Sequence, residues 1–322
     1  MKDSKKQKYS NIIKTLVQMI FGIIIVTMLF SYFKKEIDKL DFNKIEMLIS
    51  NLGVYTFLFI ILLGIVGIAI LSFYDFLVLR VIPIKESLKY TKVFKVSFMT
   101  NSLNMILGFG GIIGAGLRYY CYKPYSKDNK SLLIAIGMIL ISMLSGLSML
   151  AILVVLDFLP GADLYSDYSI FYYFLLLMTL FLPIYLFINM KNPKIKNDRY
   201  LSIKLAIISF LEWIYAAFLV LFILYIFEGS FIFGKESRIL GVIVVASIAG
   251  LLSMVPGGVG TFDFLVIIGL KNLGFKGEIV AATIFVYRLS YYVVPFIIGT
   301  ILFIIEILIQ IFRKFISKKE GI

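Results

Sequence analysis

Four acidic residues stand inside long apolar runs: Asp75, Glu212, Asp263 and Glu306. Arg288 is the one base similarly placed, and Arg118 ends a glycine-rich stretch. A charge near the centre of a bilayer costs at least ~2.5–3.5 kcal/mol on insertion scales, so each of these residues needs a counter-charge or a task. Arginine takes a phosphate bidentately, and carboxylates take an ammonium, so the set suits a zwitterionic or cationic headgroup. Other chemistry is thinly supplied. The chain has no histidine and one cysteine, Cys121, which removes the usual general acid/base, an intramolecular disulfide and a multi-cysteine zinc site. No metal or other cofactor is expected, and dehydrogenase, hydrolase and metalloenzyme readings are poor.

The surroundings of these residues differ. Asp75 lies near the end of its apolar run, where an interfacial pair with Arg80 competes with a buried role. Glu212 sits well inside a span, in Ser-Phe-Leu-Glu-Trp-Ile-Tyr. Asp263 directly follows Pro256-Gly257-Gly258-Val259-Gly260, and Arg288 lies in an aromatic patch before Pro295. Glu306 stands on a smooth apolar helix, where a structural or oligomer contact is as reasonable as function.

Two elements carry glycine breaks. Residues 101–120 contain Gly108, Gly110, Gly111 and Gly114, and residues 246–264 contain Pro256, Gly257, Gly258 and Gly260. Each places a polar, small and apolar run before a Gly-Gly pair and ends on one ionisable residue. Glycines also permit close helix packing, but a proline with three glycines breaks a continuous helix. Paired breaks in two halves of a membrane chain point to a binding site, because they expose helix ends to a polar ligand.

The elements that must hold these residues are membrane spans. Of 322 residues, 61% are apolar and 16% charged, too apolar for a water-soluble domain of this length. Spans are expected at 12–33, 53–79, 131–157, 168–190, 202–227 and 239–255, with a long stretch at 279–312. The net charge of +13 is confined to short connections. Segments 1–14, 80–95, 118–130, 191–204 and 313–320 are basic, whereas 34–46 and 228–238 are balanced and 157–167 is acidic. Counting spans alternately puts every basic segment on one side, so both termini are expected in the cytoplasm. The expectation is an all-α polytopic integral membrane protein of about seven or eight transmembrane helices. The two glycine-broken or re-entrant elements would form an inverted repeat. Residues 239–270 are open to two readings, one broken crossing or a span with a re-entrant half-helix.

Three motifs carry a resemblance: Leu107-Gly-Phe-Gly-Gly-Ile-Ile-Gly-Ala-Gly-Leu-Arg-Tyr-Tyr, Pro256-Gly-Gly-Val-Gly-Thr-Phe-Asp and Tyr287-Arg-Leu-Ser-Tyr-Tyr-Val-Val-Pro. Over essentially the whole chain the sequence resembles the membrane region of the lysylphosphatidylglycerol synthase/flippase family, also called the multiple peptide resistance factor. The resemblance implies a flippase that carries lysyl-phosphatidylglycerol to the outer leaflet of the bacterial cytoplasmic membrane, giving resistance to cationic antimicrobial peptides. It places the family's charged residues on Asp75, Arg118, Glu212 and Asp263, although many relatives have Glu where Asp263 stands. Family members join this region to further spans and to a cytoplasmic synthase that moves lysine from lysyl-tRNA to phosphatidylglycerol. Here the expected layout is a basic N-terminus at 1–11, one transmembrane domain at 12–312 and a basic tail at 313–322, without a soluble synthase domain. The alternatives are phosphatidylglycerol lysyltransferase activity, as the family name implies, or a membrane partner of a separately encoded synthase or glycosyltransferase. The expected partners are a phospholipid, the membrane and such a synthase, with no direct contact to nucleic acid.

Overall fold

A computed structural model of the chain describes residues 40–85, 88–107, 111–161, 169–190 and 200–319. The expected span at 12–33, together with Gly108 and Gly110, lies outside the described residues. The fold is an all-α polytopic membrane architecture. Five helical stretches among the described residues are long and apolar enough to cross a bilayer: Val54–Leu79, Asn129–Val155, Tyr172–Asn189, Leu201–Glu228 and Gly277–Ile309. The 27 residues of Asn129–Val155 reach about 40 Å at ~1.5 Å per residue, more than the ~30 Å of a hydrocarbon core. Along Tyr172–Asn189 only 11% of the segment is buried, and side chains such as Leu177, Ile184 and Phe187 point outward. Lipid, not water, is the solvent for such a face.

In chain order, a short helix α1 (Phe42–Ser50) precedes α2 (Val54–Ile70) and α3 (Ser72–Leu79), which together make the first described crossing. Asp41 caps α1 by accepting the backbone N–H groups of Asn43 and Lys44. Next come α4 (Tyr90–Leu107) and α5 (Ile112–Tyr122), then the crossing α6 (Asn129–Val155). A pair of helices, α7 (Ser169–Thr179) and α8 (Phe181–Met190), forms one further crossing. The second half runs α9 (Leu201–Glu228), α10 (Glu236–Leu252), α11 (Thr261–Asn272), α12 (Gly277–Arg288) and α13 (Val294–Lys319).

Two of these helix pairs fold back instead of crossing. In α4–α5 the Tyr122 hydroxyl donates to the Val93 carbonyl at 3.5 Å, and Lys92 lies 5.2 Å from the Tyr125 ring centroid, so the two open ends are adjacent. In α10–α11 Lys235 Nζ donates to the Leu273 carbonyl at 3.2 Å, and Gly250 faces Gly258 near the tip. The stretch 239–270 therefore enters and returns on one side, and Gly277–Ile309 crosses once. The reading of 239–255 as a full span is corrected accordingly: α10 is one arm of a hairpin. The connection 80–95 is also shorter than the charge pattern suggested, because Lys92 and Lys95 already belong to α4.

The order crossing, hairpin, crossing occurs twice, at 54–155 and 201–309. Three crossings separate the start of the first unit from the start of the second, so the units are inverted and the hairpins enter from opposite faces. Their tips meet. A methyl group on Gly257 would stand 3.3 Å from the Met105 carbonyl oxygen.

Small residues set the close approaches. Gly146 of α6 rests on the backbone of Ser209 in α9, whose hydroxyl accepts the Gly146 N–H at 2.8 Å and donates to the Met143 carbonyl at 2.8 Å. Gly64 likewise faces the Ser290 carbonyl. Such packing replaces the hydrophobic drive that lipid cannot supply. Between α12 and α13, residues Leu289–Val293 widen into a π-turn. Pro295 lacks an N–H and its ring crowds the carbonyl four residues back, and the wider turn accommodates both.

Candidate functional site

The first hairpin is tied to the preceding crossing by a closed polar ring. Arg118 of α5 donates through Nε to Asp75 of α3 at 3.1 Å to Oδ1 and 3.2 Å to Oδ2. Its Nη2 reaches Asp75 Oδ2 at 3.2 Å and Asn101 Oδ1 at 2.7 Å. The ring closes through α4: Asn101 Nδ2 donates to Ser97 Oγ at 3.1 Å, and Ser97 Oγ donates to Asp75 Oδ2 at 2.6 Å. Asp75 is 0% and Arg118 1% exposed. An ion pair this deep holds its helices in register, because loss of either partner strands the other charge. Asp75 thus turns inward to Arg118 and not to Arg80. Residues 101–120 supply more than a break: Asn104 Oδ1 accepts the N–H of Gly114 at 3.0 Å across the hairpin, and Gly111 starts α5 with φ +88°.

Glu212 lies next to this ring. Its Oε2 accepts the hydroxyl of Tyr74, the residue before Asp75, at 3.0 Å. Neighbouring side chains of α9 serve the backbone of other helices. Trp213 Nε1 donates to the Met143 carbonyl at 2.8 Å and the Tyr215 hydroxyl to that of Leu63 at 2.7 Å.

The second hairpin carries the matching pair. Three glycines turn the chain at its tip with positive φ, Gly257 at +65°, Gly258 at +62° and Gly260 at +85°. Asp263, in the first turn of α11, accepts the Gly260 N–H at 2.9 Å, a favourable place for an anion. Its other oxygen takes Arg288 Nε at 2.9 Å. Arg288 Nη1 donates to the Gly257 carbonyl, and the guanidinium lies over Tyr292 and Phe262 at 4.7 and 5.2 Å. Arg288 Nη2 is 2.8 Å from Asp263 Oδ1, yet it is poorly directed and makes no hydrogen bond. This pair is less closed than the first, with side-chain exposures of 15% and 12%.

The sequence-selected residues therefore fall into two places: Asp75, Arg118 and Glu212 beside the first hairpin, and Asp263 with Arg288 at the tip of the second. Glu306 belongs to neither. It accepts Lys92 at 3.1 Å and Lys95 at 3.0 Å, fastening α13 to α4. Ser97, Asn101 and Tyr74 were not singled out from the sequence. The signal was the polar run Ser97, Thr100, Asn101, Ser102 and Asn104 on one helix of a membrane chain. An open depression of about 390 Å³ beside Thr56 and Phe227 lies at the far end of α2, away from Asp75.

This geometry meets a matching kinship. The family described as the lysylphosphatidylglycerol synthase transmembrane region matches residues 19–299. The chain belongs to that family. Among curated proteins, the phosphatidylglycerol lysyltransferase of Staphylococcus haemolyticus strain JCSC1435 is 34% identical over 302 residues. That of Staphylococcus aureus strain MRSA252 is 34% identical over 303 residues. Both alignments cover 94% of this chain and 35% of the relative, so the chain spans about a third of those proteins. The family match takes in both hairpins and both carboxylate–arginine pairs.

Proposed function

We propose that the chain translocates an aminoacylated phospholipid, lysyl-phosphatidylglycerol or a close relative, between leaflets of a bacterial cytoplasmic membrane. The observation that carries this reading is the meeting of two oppositely inserted hairpins, each held by a carboxylate–arginine pair. Hairpin tips at membrane depth offer backbone groups and charges to a headgroup while acyl chains stay in lipid. Arg118 and Arg288 would receive the phosphate, and Asp75, Glu212 and Asp263 the ammonium groups. Arg288, with its undirected Nη2 and partial exposure, is the more accessible of the two arginines.

On this reading both termini face the cytoplasm, the α4–α5 hairpin opens inward and the α10–α11 hairpin opens outward. Outward movement of the lipid would lower the negative surface charge and so weaken the attraction of cationic peptides. The lysyl lipid would be supplied by a synthase, on the same or a separate chain. Purified protein in vesicles holding labelled lysyl-phosphatidylglycerol tests the proposal. The expected result is faster exposure of the label to an impermeant amine reagent than in protein-free vesicles, with no equal acceleration of fluorescent phosphatidylglycerol read by an impermeant quencher. Equal exposure with and without protein contradicts it. Appearance of new lysyl lipid when lysyl-tRNA and phosphatidylglycerol are supplied would favour transferase activity instead.

A further inference from the structure

Glu212 is unlike the other buried acids. Asp75 holds Arg118, Asp263 holds Arg288, and Glu306 takes Lys92 and Lys95. Among the described residues no base lies within ion-pair distance of Glu212, and its hydrogen-bond partner is the Tyr74 hydroxyl. The groups around it are committed or neutral. Tyr74 and Asp75 come from α3, and Asp75 is engaged by Arg118 and Ser97. Arg118 from α5 is shared between Asp75 and Asn101. Tyr185 of α8 neighbours Tyr74, its hydroxyl donating to the Ser202 carbonyl. Tyr291 of the π-turn neighbours Glu212 itself, and Tyr215, one turn on, is bonded to Leu63. A buried carboxyl without a base must be neutralised by a proton or by an arriving cation, and the two exclude each other.

We propose that Glu212 exchanges its proton for the ammonium of the bound headgroup, so that loading a cationic lipid releases a proton and unloading takes one up. This rests on the lipid reading above and adds its coupling ion. The O–H bond of the carboxylic acid breaks, the proton leaves to water, and the carboxylate accepts an N–H of the ammonium. No electrons are transferred and no other covalent bond changes. Glu212 keeps a residual opening, 7% exposed against 0% at Asp75.

Calorimetric titration of the detergent-solubilised chain, at neutral pH in two buffers of different ionisation enthalpy, counts the protons released per ligand bound. With lysyl-phosphatidylglycerol about one proton is expected per lipid. None is expected with phosphatidylglycerol, which lacks the ammonium, or from Glu212→Gln. Lysyl-lipid binding without proton release overturns the exchange while leaving the lipid reading intact, and so does undiminished release in Glu212→Gln. Absence of lysyl-lipid binding overturns the lipid reading and the exchange with it. Lysine ethyl ester, a soluble ammonium, separates the two sources: release with it alone overturns the exchange on a lipid headgroup and assigns the ammonium to a soluble amine. The wild-type proton count decides the matter even if the Gln variant does not fold.

Discussion

Replacing Arg118 by Met probes a fully buried ion pair. The substitution keeps an unbranched side chain of similar reach but leaves Asp75, 0% exposed, without its counter-charge. Breaking a buried pair from one side costs about 3–5 kcal/mol. Ser97 still donates to Asp75 at 2.6 Å, which places the expected loss at the lower end of that range. Asp75→Asn strands Arg118 in turn, with Asn101 as its remaining acceptor. The double variant carries no buried charge at this place, so it should lose less than the sum of the singles, with a coupling of about 2 kcal/mol or more. Equilibrium unfolding in mixed micelles, followed by circular dichroism as denaturing detergent is added, measures all three. Single losses below about 1 kcal/mol, or strict additivity, would refute the claim that this pair fixes the first hairpin.

Other substitutions sort the remaining features. Glu306→Gln should cost under about 1 kcal/mol, because the Lys92 and Lys95 side chains are each 26% exposed and solvent screens such pairs; the same unfolding assay checks it. Gly257→Ala puts a methyl at φ +65°, 3.3 Å from both the Met105 carbonyl and the Tyr292 ring. A loss of at least about 1–2 kcal/mol is expected there, together with slowed lipid movement in vesicles. At the start of α6, outside the membrane-spanning core, Asp128 has its carboxyl held below the usual range by the Ser131 hydroxyl and then by the N–H groups of Lys130 and Ser131. Its folded pKa is depressed, so the cap is in place above the ordinary carboxylate range and is lost as pH falls through the folded value. Thermal melts should therefore show Asp128→Ala narrowing its gap to wild type on acidification.

Much of the site was legible because charges are rare in apolar sequence. Glu212, Asp263 and Arg288 stood out since each interrupts a run that a bilayer would otherwise accept whole. Pro256-Gly257-Gly258 announced a break, for the same reason that three positive φ values occur there. What the sequence could not give was partnership across distance. Asp75 and Arg118 are separated by 43 positions, and only the fold-back of α4 on α5 brings them together. Arg80 is near in sequence yet lies on the turn that leaves the membrane. The sequence offered one broken crossing or a span with a re-entrant half-helix at 239–270, and the hairpin is neither, for a physical reason: α10, at 17 residues, is close to the length of a span, and its return is fixed by contacts with α11. Lys92 and Lys95 read as loop charges because charge count is blind to helix. Their long side chains let them sit on α4 and still reach Glu306.

The most direct test of the account is leaflet exposure of labelled lysyl-phosphatidylglycerol in vesicles containing wild-type protein or the double variant Arg118→Ala, Asp263→Ala. Together the two substitutions remove one member of each hairpin's pair, with folding checked by monodisperse elution. The account predicts acceleration by the wild type and exposure at the protein-free rate with the double variant. Wild-type speed in a folded double variant would contradict it.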